Sequence, residues 1–343
     1  MPTRWVSAQI AGLLLVAAPL AAQSLPPITI GGGLRTSFIH TSPDEADDTD
    51  AFVLDSARLY LNGPVTDTIK FMFNTEYDGS SNKIGVLDAV ARLEMAPKFN
   101  IWMGRFLPPS DRANLYGPYY SHHWGVYTDG LQNGHPFVFQ GRDNGVAYWG
   151  DFSKVKVSFG VFDGASATGT PEVITAGRVQ IDFWDKESGY YLNGTYYGGK
   201  NLLGLGAAVQ VQDGDTATTV DFLLEKKLGE EGGVVTVESE YANYDGLGGY
   251  DSAYASSEGA YVLGAYLFPK TVGVGKFEVL GKYAHAAFSK GSAADYDQDT
   301  TEFNFNYIIK EFNARVMFFL RNTSFSTVKT DSIAAGVGLQ IQM

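Results

Sequence analysis

The feature that most constrains this chain is an alternation of period two with two unlike faces. In residues 68–78, TIKFMFNTEYD, one face carries Ile69, Phe71, Phe73, Thr75 and Tyr77, and the other Lys70, Met72, Asn74, Glu76 and Asp78. Alternation of this kind specifies a strand with one apolar and one polar face. It recurs to the last residue. Ile333, Ala335, Val337, Leu339, Ile341 and Met343 share one face, Phe312, Ala314, Val316, Phe318 and Leu320 another, and Phe303, Phe305, Tyr307 and Ile309 a third. Leu87, Ala89, Ala91, Leu93 and Met95 oppose Asp88, Arg92 and Glu94 in the same way. Charges crowd one face of each segment and are nearly absent from the other. If the apolar face lies in oil, every backbone group must pair within the sheet, so the sheet must close on itself.

The N-terminus sends the chain to such a place. MPTRWVSAQIAGLLLVAAPLAAQS has one cation, Arg4, then an apolar run, then small residues, the pattern of a secretory signal over 1–24 with cleavage after residue 22 or 24. Residues 25–343 are then expected to form one transmembrane antiparallel β-barrel in the bacterial outer membrane. Aromatic residues make up 14% of the chain, yet mean hydropathy is only -0.09, the balance of lipid-facing and lumen-facing residues in alternation. The formal net charge of -13 argues against a nucleic-acid partner. With no cysteine, disulfides, thiolate metal sites and haem attachment are excluded, and no cofactor or metal site is expected.

Sixteen strand-like segments can be marked, roughly 27–40, 51–62, 68–78, 84–96, 99–106, 140–150, 154–163, 173–184, 201–212, 215–226, 233–244, 257–269, 275–288, 299–310, 311–324 and 331–343. A further candidate, GYYLNGTYYG at 189–198, would make an odd number, which single-chain bacterial barrels avoid; it is assigned to a periplasmic excursion. NGPVTD, APK, GDFS and YIIKEF read as short periplasmic turns, whereas TSPDEADDTD, YDGLGGYDSAYASS and KGSAADYDQD are longer, acidic, outer loops. Their carboxylates suit either simple solubility or cation bridges to lipopolysaccharide. The longest irregular stretch, 107–139, is rich in Tyr, Pro and Gly and has a single Arg or Lys, Arg112. Its length and composition suit a loop folded into the lumen as a constriction.

SARLYLNGPVTDTIKFMFNTEYDG, IWMGRFLPPSDRANLYGPYY and QGRDNGVAYWG resemble the phosphate-selective porin O and P family. The resemblance runs from about Ser56 to the C-terminus and is densest up to Gly150. It implies a 16-stranded, trimeric outer-membrane channel in which basic side chains guide anions. The sparing of cations in 107–139, the net acidity and the C-terminal Met343 depart from that pattern.

Read from the residues alone, the lumen-facing or constriction charges divide in two. Arg58, Arg92, Arg105, Arg112, Arg142 and Arg178, joined by Arg315 and Arg321 from late strands that closure brings beside the first, form a basic set to which Arg35 and Lys70 add. Asp221, Glu225, Glu238, Glu240, Glu278 and Glu302 form an acidic set on the opposite wall. Two readings stand: a transverse field that orients solutes, or local salt bridges that make the lumen wettable. A few arginines at a narrow point outweigh distant carboxylates, because salt screens beyond about 8 Å, so weak anion preference is expected in a passive channel for small hydrophilic solutes. Two rivals remain, an outer-membrane enzyme and a sheath for an electron-transfer partner. Against the first, the five His (His40, His122, His123, His135 and His285) lack HExxH spacing and no GxSxG occurs.

Overall fold

The computed structural model describes residues 27–78, 82–131, 141–164, 172–327 and 329–343; the leader at 1–24 and residues 132–139 of the long loop lie outside them. Sixteen strands form one closed antiparallel barrel: β1 (Thr29–Pro43), β2 (Thr49–Pro64), β3 (Ile69–Asp78), β4 (Lys83–Ala96), β5 (Phe99–Phe106), β6 (Asp143–Phe152), β7 (Val155–Phe162), β8 (Ile174–Asp182), β9 (Leu202–Gln212), β10 (Asp215–Lys227), β11 (Val234–Asp245), β12 (Tyr254–Val272), β13 (Gly275–Gly291), β14 (Tyr296–Lys310), β15 (Ala314–Phe325) and β16 (Ser332–Gln342). Each of the sixteen expected segments overlaps one strand. Each strand pairs with its sequence neighbours, and β16 returns to β1 through pairs such as Phe38 with Val337 and Leu34 with Ile341. The last residue is held in this seam: the Gly32 amide donates to the Met343 carbonyl at 3.0 Å, and the Met343 amide to the Gly32 carbonyl at 2.9 Å. Closure removes both sheet edges, the requirement for a sheet in hydrocarbon.

The alternation becomes inside and outside. On β14, Phe303 and Phe305 are exposed outward at 52% and 39%, while Glu302, Asn304 and Asn306 between them are buried inward. Phe318, Leu320, Leu339 and Ile341 continue the outer apolar surface, and Arg315, Met317, Phe319 and Gln340 are inside. Two residues leave the expected face. A bulge opposite Asn74 and Thr75 inserts Leu87 between Asp88 and Val86, so Val86 takes the outward place and Leu87 is buried. Phe312 precedes β15, and its ring turns inward onto Tyr120 and Tyr197, at 5.2 and 5.1 Å.

Residues 189–198 form no strand. They lie in the connection from β8 to β9, at the barrel end that holds the chain termini, as even strand number requires.

Cysteine placed at Arg321 is expected to react with a membrane-impermeant thiol reagent, and cysteine at Leu339 to stay unlabelled in lipid; equal labelling would contradict the assignment of faces. Phe305→Arg, a cation on the lipid side, is expected to cost about 2–4 kcal/mol if it lies near mid-membrane, read from denaturant unfolding in liposomes.

Candidate functional site

The wide barrel is filled from one side. Past β5 the chain turns into the lumen, and residues 106–117 are buried. A short helix, α1 (Arg112–Tyr116), starts there because the Asp111 carboxylate accepts the Asn114 amide at 2.7 Å, and it stops at Gly117, whose φ of 59° suits a residue without a Cβ. The loop then runs across β9–β14, the wall that carries the inward carboxylates. Tyr116 donates its hydroxyl to Glu238 at 2.8 Å. His122 Nε2 meets Glu278 at 2.8 Å. Lys282 reaches back from β13 to Asp129 at 2.6 Å and to His123 at 3.2 Å. The Trp124 amide donates to Asn304 Oδ1 at 3.3 Å. Next to this, Arg315 donates to the Ser121 carbonyl at 2.6 Å and to the Tyr119 carbonyl at 3.2 Å. The Ser121 hydroxyl donates to the His123 carbonyl at 2.9 Å, so this buried Ser–His neighbour braces the loop.

A second segment enters from the opposite mouth. Residues 183–201, the excursion between β8 and β9, rise into the lumen and meet the loop end to end. The Gly194 amide donates to the Tyr120 carbonyl at 2.9 Å, Arg112 donates to the Asn193 carbonyl at 3.0 Å, and Tyr190 to the Leu107 carbonyl at 2.7 Å. Glu225 on β10 gathers the far end, accepting from Thr195 Oγ1, the Tyr196 amide and the Gly198 amide, each at 2.7 Å. At the junction Arg112 forks onto Glu187, with its Nη1 3.0 Å from Oε1, and its Nε lies 3.5 Å from Asp221. Burial pushes the Glu187 carboxyl up, but the Arg112 guanidinium outweighs it and holds the group down at about 2.

The acidic wall is therefore a docking surface behind the loop. Asp221 holds Arg178 at 2.9 Å as well as Arg112. Glu238 also accepts from Tyr261 at 2.5 Å, Glu278 from Asn306 at 2.8 Å, and Glu302 from Asn304 at 2.6 Å with Arg321 at 3.9 Å. Glu240 is buried beside Glu238. These carboxylates are engaged locally, by arginine at Asp221 and Glu302 and by neutral donors at Glu225 and Glu238. Arg178 and Arg315 lie on the barrel wall under the loop, Arg178 donating to the Ser110 carbonyl at 3.1 Å, and Arg112 reaches the same wall from the loop; all three are buried.

Two cavities lie along β1–β4 and β15, and another, of about 420 Å³, lies by the β12–β13 and β14–β15 turns beside Tyr197, Lys276 and Lys310. The first, of about 500 Å³ at the terminal mouth, is bordered by Arg58, Tyr60, Tyr116, Tyr120, Arg142 and Tyr191. A second, of about 340 Å³, faces the long-loop mouth beside Arg35, Asp55, Trp124, Tyr127, Phe319 and Arg321. Tyr119 stands between them, its ring 4.7 Å from the Arg58 guanidinium and 6.0 Å from that of Arg35, and its hydroxyl 3.0 Å from Ser56. It fits because Gly33 has no side chain: a Cβ there would lie 2.7 Å from the ring. Arg35 also lies 4.0 Å over Trp124 and donates to its carbonyl at 2.8 Å. The cations on this side are compensated in part. Arg58 pairs with Glu76, Arg142 with Asp88 at 3.3 Å, Lys70 with Glu94 at 2.7 Å, and Arg92, stacked 5.6 Å from Trp102, lies 3.8 Å from Glu94.

Arg105 departs from its expected place. It pairs with outward Ala89 across the ladder, shares its face with Phe99 and Met103, which are exposed outward, and donates to the Val86 carbonyl at 3.1 Å. It stands on the outer surface near the rim and does not line the lumen. The sequence reading missed Glu187, Asp129 and Lys282, which fasten the loop; their partners are 75 and 153 residues away in the chain, and no local pattern signals such pairs.

No protein-family model matches the chain, and no curated protein matches it in sequence. Solved structures do match in shape. OprB of Pseudomonas putida aligns at 9% identity and TM-score 0.63, over 92% of this chain and 94% of that one. A loop-deleted OmpT, an outer membrane protein of Vibrio cholerae, aligns at 15% identity and TM-score 0.58, over 93% and 100%. A structure described as a porin aligns at 15% identity and TM-score 0.55, over 92% and 100%. At these identities the likeness establishes the fold, a barrel of the kind that outer-membrane proteins use.

The Arg112–Glu187 junction sets an acid limit. Because the folded carboxyl titrates below the ordinary value of about 4.3, its contribution is complete above that pH and is lost as pH falls through about 2. Single-channel conductance in bilayers is expected to stay constant from pH 7 to 5 and to change only in strong acid. Glu187→Gln is expected to show the altered conductance already at pH 7, and Arg112→Gln with Glu187→Gln to add little to either alone.

Proposed function

We propose that this chain is an outer-membrane porin, a passive diffusion channel for small hydrophilic solutes with a weak preference for anions. The observation that carries the reading is the off-centre path. A loop and a strap cover the acidic wall, and the two cavities away from it are bordered by Arg35 on β1, Arg58 on β2, Arg142 just before β6 and Arg321 on β15. Fixed charges at a narrow neck act at close range in a low dielectric, and carboxylates hydrogen-bonded behind the loop are compensated where they stand. The motifs between Ser56 and Gly150 support placing it near the phosphate-selective porin O and P type. The same reading includes export by residues 1–24, a homotrimer like the trimer form in which OmpT of Vibrio cholerae was solved, and contact of the acidic outer loops with lipopolysaccharide.

In a KCl gradient the reversal potential is expected to show modest anion preference that fades in high salt. Arg142→Glu together with Arg321→Glu is expected to move it toward cations. A wild-type channel that prefers cations would refute the assignment of the pore to the arginine wall. Deleting Tyr116 to Leu131 is expected to raise single-channel conductance, since the loop fills much of the lumen; unchanged conductance would place the solute path elsewhere.

A further inference from the structure

We propose that the solutes this pore favours are organic monoanions built on a flat ring, monocyclic aromatic carboxylates, rather than inorganic phosphate or aliphatic acids. The inference rests on the channel reading above and names the solute class of that same path.

Each of the two cavities sets guanidinium groups among ring faces. The cavity at the long-loop mouth has Arg35 and Arg321 beside Trp124, whose ring stacks within 6° of the Phe319 plane at 6.4 Å. Between the cavities Tyr119 is packed and fully buried, with Arg35 on one side and Arg58 on the other. The cavity at the terminal mouth has Arg58 and Arg142 among Tyr60, Tyr120 and Tyr191. A solute entering the larger cavity meets guanidinium groups and accessible tyrosine surface together. A carboxylate takes a guanidinium in the bidentate manner, and a flat ring behind it packs on tyrosine and tryptophan.

Phosphate fits the same path poorly. A small, multiply charged and strongly hydrated anion needs several converging donors and no competing acid. Among the described residues, neither cavity is bordered by lysine, and each is bordered by a carboxylate, Asp55 in one and Asp88 in the other. Arg58 is engaged by Glu76 and Arg142 by Asp88. A monoanion that spreads its contacts over ring faces asks less of these arginines. Cavities of about 340 and 500 Å³ hold one ring with water to spare, within the ordinary size of small-molecule sites, so binding stays weak enough for release.

The test uses the whole protein in planar bilayers, with KCl current as the baseline and benzoate, cyclohexanecarboxylate, phosphate and glucose as probes. Benzoate is expected to reduce the current at a concentration about three- to ten-fold lower than cyclohexanecarboxylate, the margin that ring–ring pairing supplies, with phosphate and glucose weaker than both. Tyr120, 40% exposed, offers its ring to the larger cavity. Tyr120→Leu is expected to shrink the benzoate advantage and Tyr120→Phe to keep it, each normalised to its own KCl current. If the variants do not assemble, the wild-type series decides alone. Equal action by the two carboxylates, or stronger action by phosphate or glucose, overturns the proposal while leaving the channel in place. A barrel that passes no KCl current overturns the channel reading itself.

Discussion

The constraint on which the rest depends is that backbone amides and carbonyls have no water to turn to in hydrocarbon. It forces β16 back onto β1, even through the last residue, and it makes face assignment absolute: one residue of slip would put Glu302 and Asn304 into oil and Phe303 and Phe305 into the lumen. A sixteen-stranded ring that satisfies this condition is wide inside. Side chains alone do not fill it, so chain must be brought in from the ends.

What holds that chain is charge. The inward loop carries cations and donors, Arg112, Tyr116 and His122, and the wall it covers carries Asp221, Glu238 and Glu278. A buried carboxylate without a partner is costly, and a loop without a wall would be loose; each removes the liability of the other. The strap at 183–201 completes the arrangement from the other mouth, with Glu187 and Glu225 as its fastenings. The carboxylates of this wall thus serve to seat polypeptide, and the larger cavity lies on the side of Arg58 and Arg142.

Much of the barrel was legible because alternation is a local property that each strand displays on its own. The two lapses in facing, Leu87 and Phe312, fall where alternation stops, at a bulge and in a turn. Arg105 was misplaced for a different reason. Its parity with Phe99, Ile101 and Met103 marks it as outward, and grouping it with the base of the loop overrode that signal. The site was less legible. The residue types on the two walls could be read, but which charges the loop would cover depends on pairs such as His122 with Glu278, 156 residues apart, and composition does not encode where a loop comes to rest.

The division of labour between the walls has an evolutionary consequence. The two cavities are bordered in part by β1–β4, consecutive strands within the first hundred residues, and in part by the loop and the strap themselves, whereas the surface that seats the loop comes from β8–β15 and the strap. Substitutions at Arg58, Tyr60 or Asn74, which border the larger cavity, touch few of the contacts that seat the loop. The β1–β4 share of the cavity lining can therefore vary within one short cassette of sequence while most of the fastenings that narrow the barrel are inherited from another.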